Sequence, residues 1–310
     1  MKRSNALVLL PHIRIQNANM ISGPLSWGFP AMTAFLGAVH RLFREGDFPV
    51  QSSGVGVVCH SFQPQASRVS GKYTHVLHLR RFPVNKDGSA ASMIEEGRAH
   101  LEISLVLGIH GELEAEADGP RLAMAMQERL QGLSLAGGSL LPCRHAASWH
   151  DLPDSQSEQL EVFRLFRRRL LPGFALVERR DKLQEHLVLL REKQPEAGAL
   201  EALLDICRLN WDVEPDPENA ERGIWTLRRR DGWLVPIPAG FRALSPLYAP
   251  GSVRNARDRE VPFRFVESLY TLGEWKSPHR LTSLQELLWQ YRTDESAGLY
   301  LCTQTQGELQ

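Results

Sequence analysis

Histidine is the side chain best placed to move a proton near neutral pH. Eleven occur in this 310-residue chain. His12, His40 and His60 are candidates for metal-free acid–base cleavage of RNA, in which one imidazole takes a proton and another returns it. A lone histidine more often packs in a core, and His40, on the apolar face of an expected helix, suits that role. Metal chemistry has less to work with. His75 and His78 stand three apart, so on a strand their rings point to opposite faces. Cys59, Cys143, Cys207 and Cys302 include no C-x-x-C pair, which excludes a zinc ribbon or a compact disulfide framework and suits a reducing compartment. There is no G-x-x-x-x-G-K-[ST] phosphate loop, no G-x-S-x-G elbow and no H-E-x-x-H. Gly54-x-Gly56 lacks a third glycine and a following helix. No metal or cofactor is expected.

Binding chemistry is better represented. Asn17, Asn19 and Ser22 fall in a short polar stretch that ends in Trp27. Amides read base edges, and an exposed indole gives a base a surface to stack on; equally, asparagines hold tight turns and a tryptophan plugs a core. Gly137-Gly138 admits a phosphate close to the backbone or caps a helix. Arg254, Arg257, Arg259 and Arg264 interleave with Asp258 and Glu260, so part of that charge is expected to pair within the segment. Phe263 and Trp275 are expected in the core. Lysine plus arginine balances aspartate plus glutamate at 36 each, yet residues 1–83 hold nine bases against two acids. That leaves 27 against 34 beyond. A basic front suits an anionic ligand, and an acidic remainder suits a protein neighbour. Arginine far outnumbers lysine, a bias that favours phosphate and base edges.

Periodicity supplies the elements that must position these groups. Ala6–Gln16 alternates as a strand, with Pro11 marking a bulge. Pro30 opens a helix carrying Phe35, Leu36, Val39, Leu42 and Phe43 up to a C-terminal Gly46. Val55–Phe62 reads as a strand. Tyr73–Phe82 and His100–Ile109 read as a long hairpin around a mobile tip, Val84–Gly97. After acidic Glu112–Asp118, Pro120 begins a helix with Leu122, Met126 and Leu130; Ala136–Ser139 then leads to a strand from Leu140. This strand–helix–strand–strand–helix–strand order predicts an α+β, ferredoxin-like (RRM-like) domain. Gln159–Arg169 and Asp181–Cys207 read as helices, with Arg167–Arg169 favouring a helix macrodipole. Asp212–Glu221 reads as a linker. Trp225–Arg230, a turn at Asp231-Gly232, Trp233–Pro238, Arg257–Trp275 and a final helix around Ser283–Tyr291 complete a β-rich C-terminal part. The expected organisation is 1–150 with a hairpin thumb at about 72–110, a helical insertion at 151–222, and 223–310 packing back on the first domain. The composition, 43% hydrophobic and 23% charged, excludes fibrous and wholly disordered classes. The apolar run Ala6–Leu10, broken by Pro11, is too short for a membrane span or a signal peptide, so no membrane contact and a cytoplasmic location are expected.

Two long strings carry a family resemblance. Residues 13–30, IRIQNANMISGPLSWGFP, and 258–281, DREVPFRFVESLYTLGEWKSPHRL, resemble the signatures of the Csy-two, Cas-five-type subunits (RAMP superfamily) of type I-F CRISPR surveillance complexes. Met20 and Gly23 depart from the pattern. The resemblance implies a non-catalytic RNA-binding subunit with a protruding thumb that caps the 5′ handle of the CRISPR RNA. It also implies pairing with a large subunit, docking of a backbone subunit, and contact with target DNA only indirectly. On that basis Asn17, Asn19, Ser22 and Trp27 are expected to contact handle bases or fix the loop that does. Arg80, Arg81 and Lys86 would meet phosphates, Gly137 and Gly138 would give backbone access, and Arg254, Arg257 and Arg259 would add charge. His279 and Arg280 would face RNA or pack at a strand end. The acidic helical stretch Gln159–Glu221 is the expected protein contact. A handle-cutting endoribonuclease and a purely architectural wedge remain the alternatives.

Overall fold

The computed structural model of the chain describes residues 4–72, 74–81, 84–111, 113, 118–216, 219–228 and 231–304. Strand β1 (Ala6–Asn19) shows how the sequence sets the sheet. Ala6, Val8 and Leu10 face one core, and the pairing register with a later strand shifts between Leu10 and Ile13. The extra residue, with His12 at φ 50°, changes the parity, so Ile13 and Ile15 continue on the same face. A short ribbon follows, β2 (Ile21–Gly23) with β3 (Ser26–Trp27). Helix α1 (Met32–Gly46) begins two residues after Pro30. It buries Met32, Phe35, Leu36, Val39 and Leu42. Asp47, not Gly46, takes the left-handed conformation that ends it.

Strand β4 (Gln51–Pro64) runs out along the sheet and β9 (Arg98–His110) runs back, paired from Gln51↔His110 to Pro64↔Ala99. Between them lies an excursion of short ribbons: β5 (Ala66–Arg68) pairs with β6 (His75–Leu77), and β7 (Leu79–Arg81) with β8 (Met93–Glu95). The expected hairpin of Tyr73–Phe82 with His100–Ile109 is therefore corrected. Residues 100–109 are too apolar for a protrusion and form the sheet centre between β1 and β4. Tyr73 and Phe82 lie outside the described residues, as do Glu112, Glu114 and Glu116 of the acidic stretch. Helix α2 (Asp118–Gln131) packs beside α1. Strands β10 (Ser134–Leu135) and β11 (Gly138–Leu140) form a tight hairpin, and β11 and β12 (Ser148–Asp151) both pair with β1.

The segment expected to be a helical insertion is not purely helical. Helix α3 (Gln156–Phe166) continues as a 3₁₀ turn, Arg167–Leu170, and then strand β13 (Phe174–Glu178) inserts into the sheet. Its five residues, Phe-Ala-Leu-Val-Glu, are short enough to be missed between two charged helices. Helices α4 (Arg180–Lys193) and α5 (Ala199–Cys207) follow. The expected linker is instead a ribbon of β14 (Trp211–Asp216) and β15 (Asn219–Leu227). Trp225 accordingly pairs with Val213. Strand β16 (Trp233–Ala243) pairs with β17 (Val266–Lys276) and β19 (Leu299–Thr303), which also pairs with β18 (Gln290–Asp294). Residues 254–265 are loop. Ser283–Tyr291 forms a turn and an extended segment in place of a helix, because Leu284, Leu287 and Leu288 plug one side of the sheet and Trp289 the other.

The protein is α+β. Among the described residues five α-helices lie beside an eleven-stranded antiparallel sheet of order β10-β11-β1-β9-β4-β13-β17-β16-β19-β18, with β12 paired to β1. Helices α1 and α2 cover one face; α3, the 3₁₀ turn and residues 281–288 cover part of the other. No described helix is long and apolar enough to cross a membrane.

Candidate nucleic-acid interface

Four of the expected site residues meet where β1 ends. The β1 register slips again between Ile15 and Ala18, with Asn17 at φ 57°. Asn17 is held on several sides: its Oδ1 accepts from Gln65 Nε2 (2.6 Å) and its carbonyl from Arg98 Nη1 (3.1 Å). Asn19 bonds the backbone of Ile21 through both ends of its amide, and its N–H donates to Ala136 O at 2.7 Å. A Cβ on Gly138 would stand 2.6 Å from Gln16 O, so this glycine lets β11 approach β1. Gly137, at φ 69°, makes the β10–β11 turn. Asn17, Asn19 and Gly138 thus position the backbone in this structure. Arg98, which no motif or periodicity marks, ties the corner together and pairs with Glu96.

Ser22 and Trp27 occupy the β2–β3 ribbon, which leans over a groove of about 530 Å³. Trp27 is 56% exposed at its mouth, and Phe29, Phe62, Phe174, Trp233 and Trp275 line it. Leu25 N–H donates to the Tyr270 hydroxyl (2.9 Å), and Gly23 has no side chain to block that approach. Trp233 and Trp275 are directly opposed across β16 and β17. Only the sheet register puts them beside Trp27, so periodicity alone could not have found this wall. Trp275 packs against the core, as expected, and its half-exposed side also lines the groove.

The cations divide unequally. Arg80 pairs with Glu96 at 3.2 Å, whereas Arg81 and Lys86, also exposed on the excursion, have no ion pair among the described residues. Trp27 reaches toward this excursion, 6.5 Å from the His75 ring. Arg254, Arg257 and Arg259 stand exposed on loop 244–265, whose neck is closed by Tyr248–Phe263 backbone hydrogen bonds. The expected pairing with Asp258 and Glu260 does not form; Asp258 Oδ1 accepts from Glu260 N–H instead. His279 and Arg280 are exposed in a 3₁₀ turn, Pro278–Arg280, whose following residue Leu281 packs on the sheet face opposite the groove, so the structure does not bring these two to Trp27.

The histidines separate as well. His12 Nδ1 lies 2.7 Å from Glu102 Oε1, and its ring stacks on His60 at 4.2 Å. His60 is engaged at both nitrogens, by Pro172 O and Ser104 Oγ. Burial is the main cause that keeps the His60 pKa below the ordinary imidazole value, so it favours the neutral ring. His145 approaches His12 at 5.1 Å. His40 is exposed beside Tyr291, which corrects its expected packing. Burial pushes the Cys59 thiol up to about 12, so it is an inert part of the groove wall. Among the described residues no group of three or more His, Cys, Asp or Glu side chains could hold a metal ion.

A family model described as CRISPR-associated protein (Cas_Csy2) matches residues 8–302. The CRISPR-associated protein Csy2 of Pseudomonas aeruginosa (strain UCBPP-PA14) is 50% identical over 309 residues, covering 95% of this chain and 94% of that protein.

Proposed function

The chain belongs to the Cas_Csy2 family of CRISPR-associated proteins, and from that membership we propose that it is a non-catalytic RNA-binding subunit of a type I-F interference complex. In this role it caps the 5′ handle of the CRISPR RNA, and it joins the large subunit and the backbone subunits in the cytoplasm. The observation that carries the proposal is the aromatic groove with Trp27 at its mouth, next to an excursion bearing Arg81 and Lys86. Flat rings bind unstacked bases, and nearby cations bind the connecting phosphates. A ferredoxin-like core is supported by the order β11-β1-β9-β4 within strand–helix–strand–strand–helix–strand connectivity. Protein contact is supported by one face of the β14–β15 ribbon, where Trp211, Val213, Trp225 and Leu227 are all exposed.

Trp27→Ala in the complex assembled with CRISPR RNA tests the groove. About tenfold weaker binding of handle RNA is expected, since each base–ring stack contributes about 1–3 kcal/mol. Unchanged affinity would overturn the assignment. His12, oriented by Glu102 and flanked by His145, favours the endoribonuclease as a second reading. Incubation with precursor RNA in chelator decides between them, because a defined product lost in His12→Ala would make the chain an enzyme.

A further inference from the structure

Two cationic turns lie more than a hundred residues apart in sequence and side by side in the fold. In the first, Arg167–Leu170, three residues per turn put Arg167 and Leu170 on one side. That side faces inward: Leu170 is fully buried, and Arg167 donates to the carbonyl of Leu281. Arg168 and Arg169 therefore face solvent, with Arg164 one helical turn earlier on α3, and all three are exposed. In the second turn, Pro278 is buried and His279 and Arg280 are exposed. Leu281, directly after it, shares a core cluster with Phe166 and Leu170. The common core and the Arg167 bond fix four outward arginines and His279 on one surface.

Among the described residues none of the five has an ion pair. Glu286 takes Lys276 and Thr282, and Asp151, next to the His150 that Arg169 contacts, accepts from Trp149 Nε1; Glu161, three residues before Arg164 on α3, forms no ion pair with it among the described residues. Arg169 contacts the His150 ring at 3.4 Å, which leaves its charge uncompensated. A macrodipole accounts for cations on the last turn of α3 but not for the second turn. This surface is also separate from the aromatic groove. Along β13, Phe174 and Leu176 line the groove, while Ala175 and Val177 pack with Phe166 and Leu170 on the opposite sheet face.

We infer, against the expectation that target DNA is met only indirectly, that Arg164, Arg168, Arg169, His279 and Arg280 form a second nucleic-acid contact, which grips the phosphate backbone of a duplex on the sheet face opposite the proposed handle groove. Guanidinium forks match phosphate oxygens. The outward side of the two turns carries no Trp, Tyr or Phe, so it lacks the platform on which single strands stack. The surface suits regular rows of phosphates and reads no sequence.

Anisotropy titrations of the full chain with a labelled DNA duplex and with single-stranded handle RNA, over a range of salt, test the inference. Arg168→Ala/Arg280→Ala should make the duplex salt dependence shallower by about 1.8, two phosphate contacts' worth, and leave handle RNA binding unchanged. Arg41→Ala/Arg121→Ala, which removes equal charge from the helical layer, should alter neither, and Trp27→Ala should weaken the RNA alone. Melting curves verify that each variant is folded. An unchanged duplex slope in folded Arg168→Ala/Arg280→Ala overturns the inference, as does an equal loss in the Arg41→Ala/Arg121→Ala control. Loss of RNA binding in place of duplex binding overturns it too. Failure of Trp27→Ala to weaken RNA binding counts against the handle groove only.

Discussion

The carboxylate of Glu286 accepts from Lys276 Nζ, from Thr282 N–H (2.8 Å) and from Thr282 Oγ1 (3.0 Å). Burial acts to raise its pKa, but the Lys276 bond and the Thr282 donors outweigh it, so the group lies below its ordinary value of 4.5. A carboxyl depressed in the folded state stabilises above its unfolded pKa, and that contribution is lost as pH falls through the folded value. Glu286→Gln should cost about 1–2 kcal/mol at neutral pH, with the gap to the parent closing in acid. Chemical denaturation at several pH values measures it, and a pH-independent gap would show that the charge is not what anchors residues 281–288. Gly138 makes a different demand. A methyl there meets backbone atoms, Gln16 O at 2.6 Å and Ala18 N at 2.8 Å, and backbone cannot swing aside. Gly138→Ala should lower stability by about 1–3 kcal/mol, read as a drop in melting temperature.

Among the elements, the excursion between β4 and β9 turns on its ion pairs. Arg80 is held by Glu96, whose pKa is lowered chiefly by its bond to Arg98. A guanidinium already paired has less to offer a phosphate. Arg81→Ala should therefore flatten the salt dependence of handle RNA binding by about 0.7, and Arg80→Ala should do so by less; the reverse order would place the RNA on the Glu96 side of β7. The ribbon β14–β15 poses the opposite problem, since two strands alone in water are marginal and this pair exposes Trp211 (55%) and Trp225 (66%) on one side. Trp211→Ser/Trp225→Ser should release the large subunit on co-purification while the monomer stays folded. Retention of the complex would remove the ribbon from that interface. Deleting the whole stretch 159–221 would be a poor test, because it contains β13.

At the level of the whole molecule, β13 joins the two parts of the sheet, pairing with β4 on one side and β17 on the other. Trp289 fastens the join. It is fully buried, its indole N–H donates to Leu176 O at 2.8 Å, and its backbone pairs with Val55 in both directions. Trp289→Ala should cost about 3–5 kcal/mol and move a single calorimetric transition downward; two separated transitions would mean that the parts fold independently. The sequence by itself determined the local elements whose period is long and clear: β1 with its bulge at Pro11, α1, β4, α2 and the order that leads to an α+β fold. It also carried the family, through residues 13–30 and 258–281, and it marked Trp27 and the exposed arginines. The tertiary structure alone decided which strand lies beside which, because pairing depends on burying both faces of β9 and β13 and not on the neighbours each has in sequence. That choice set Trp233 against Trp275 beside Trp27, tied Arg80 to Glu96, and brought Arg168 and Arg280 onto one surface. A side chain's chemistry is written in its type, whereas its partners are set by the closure of the chain around a common core.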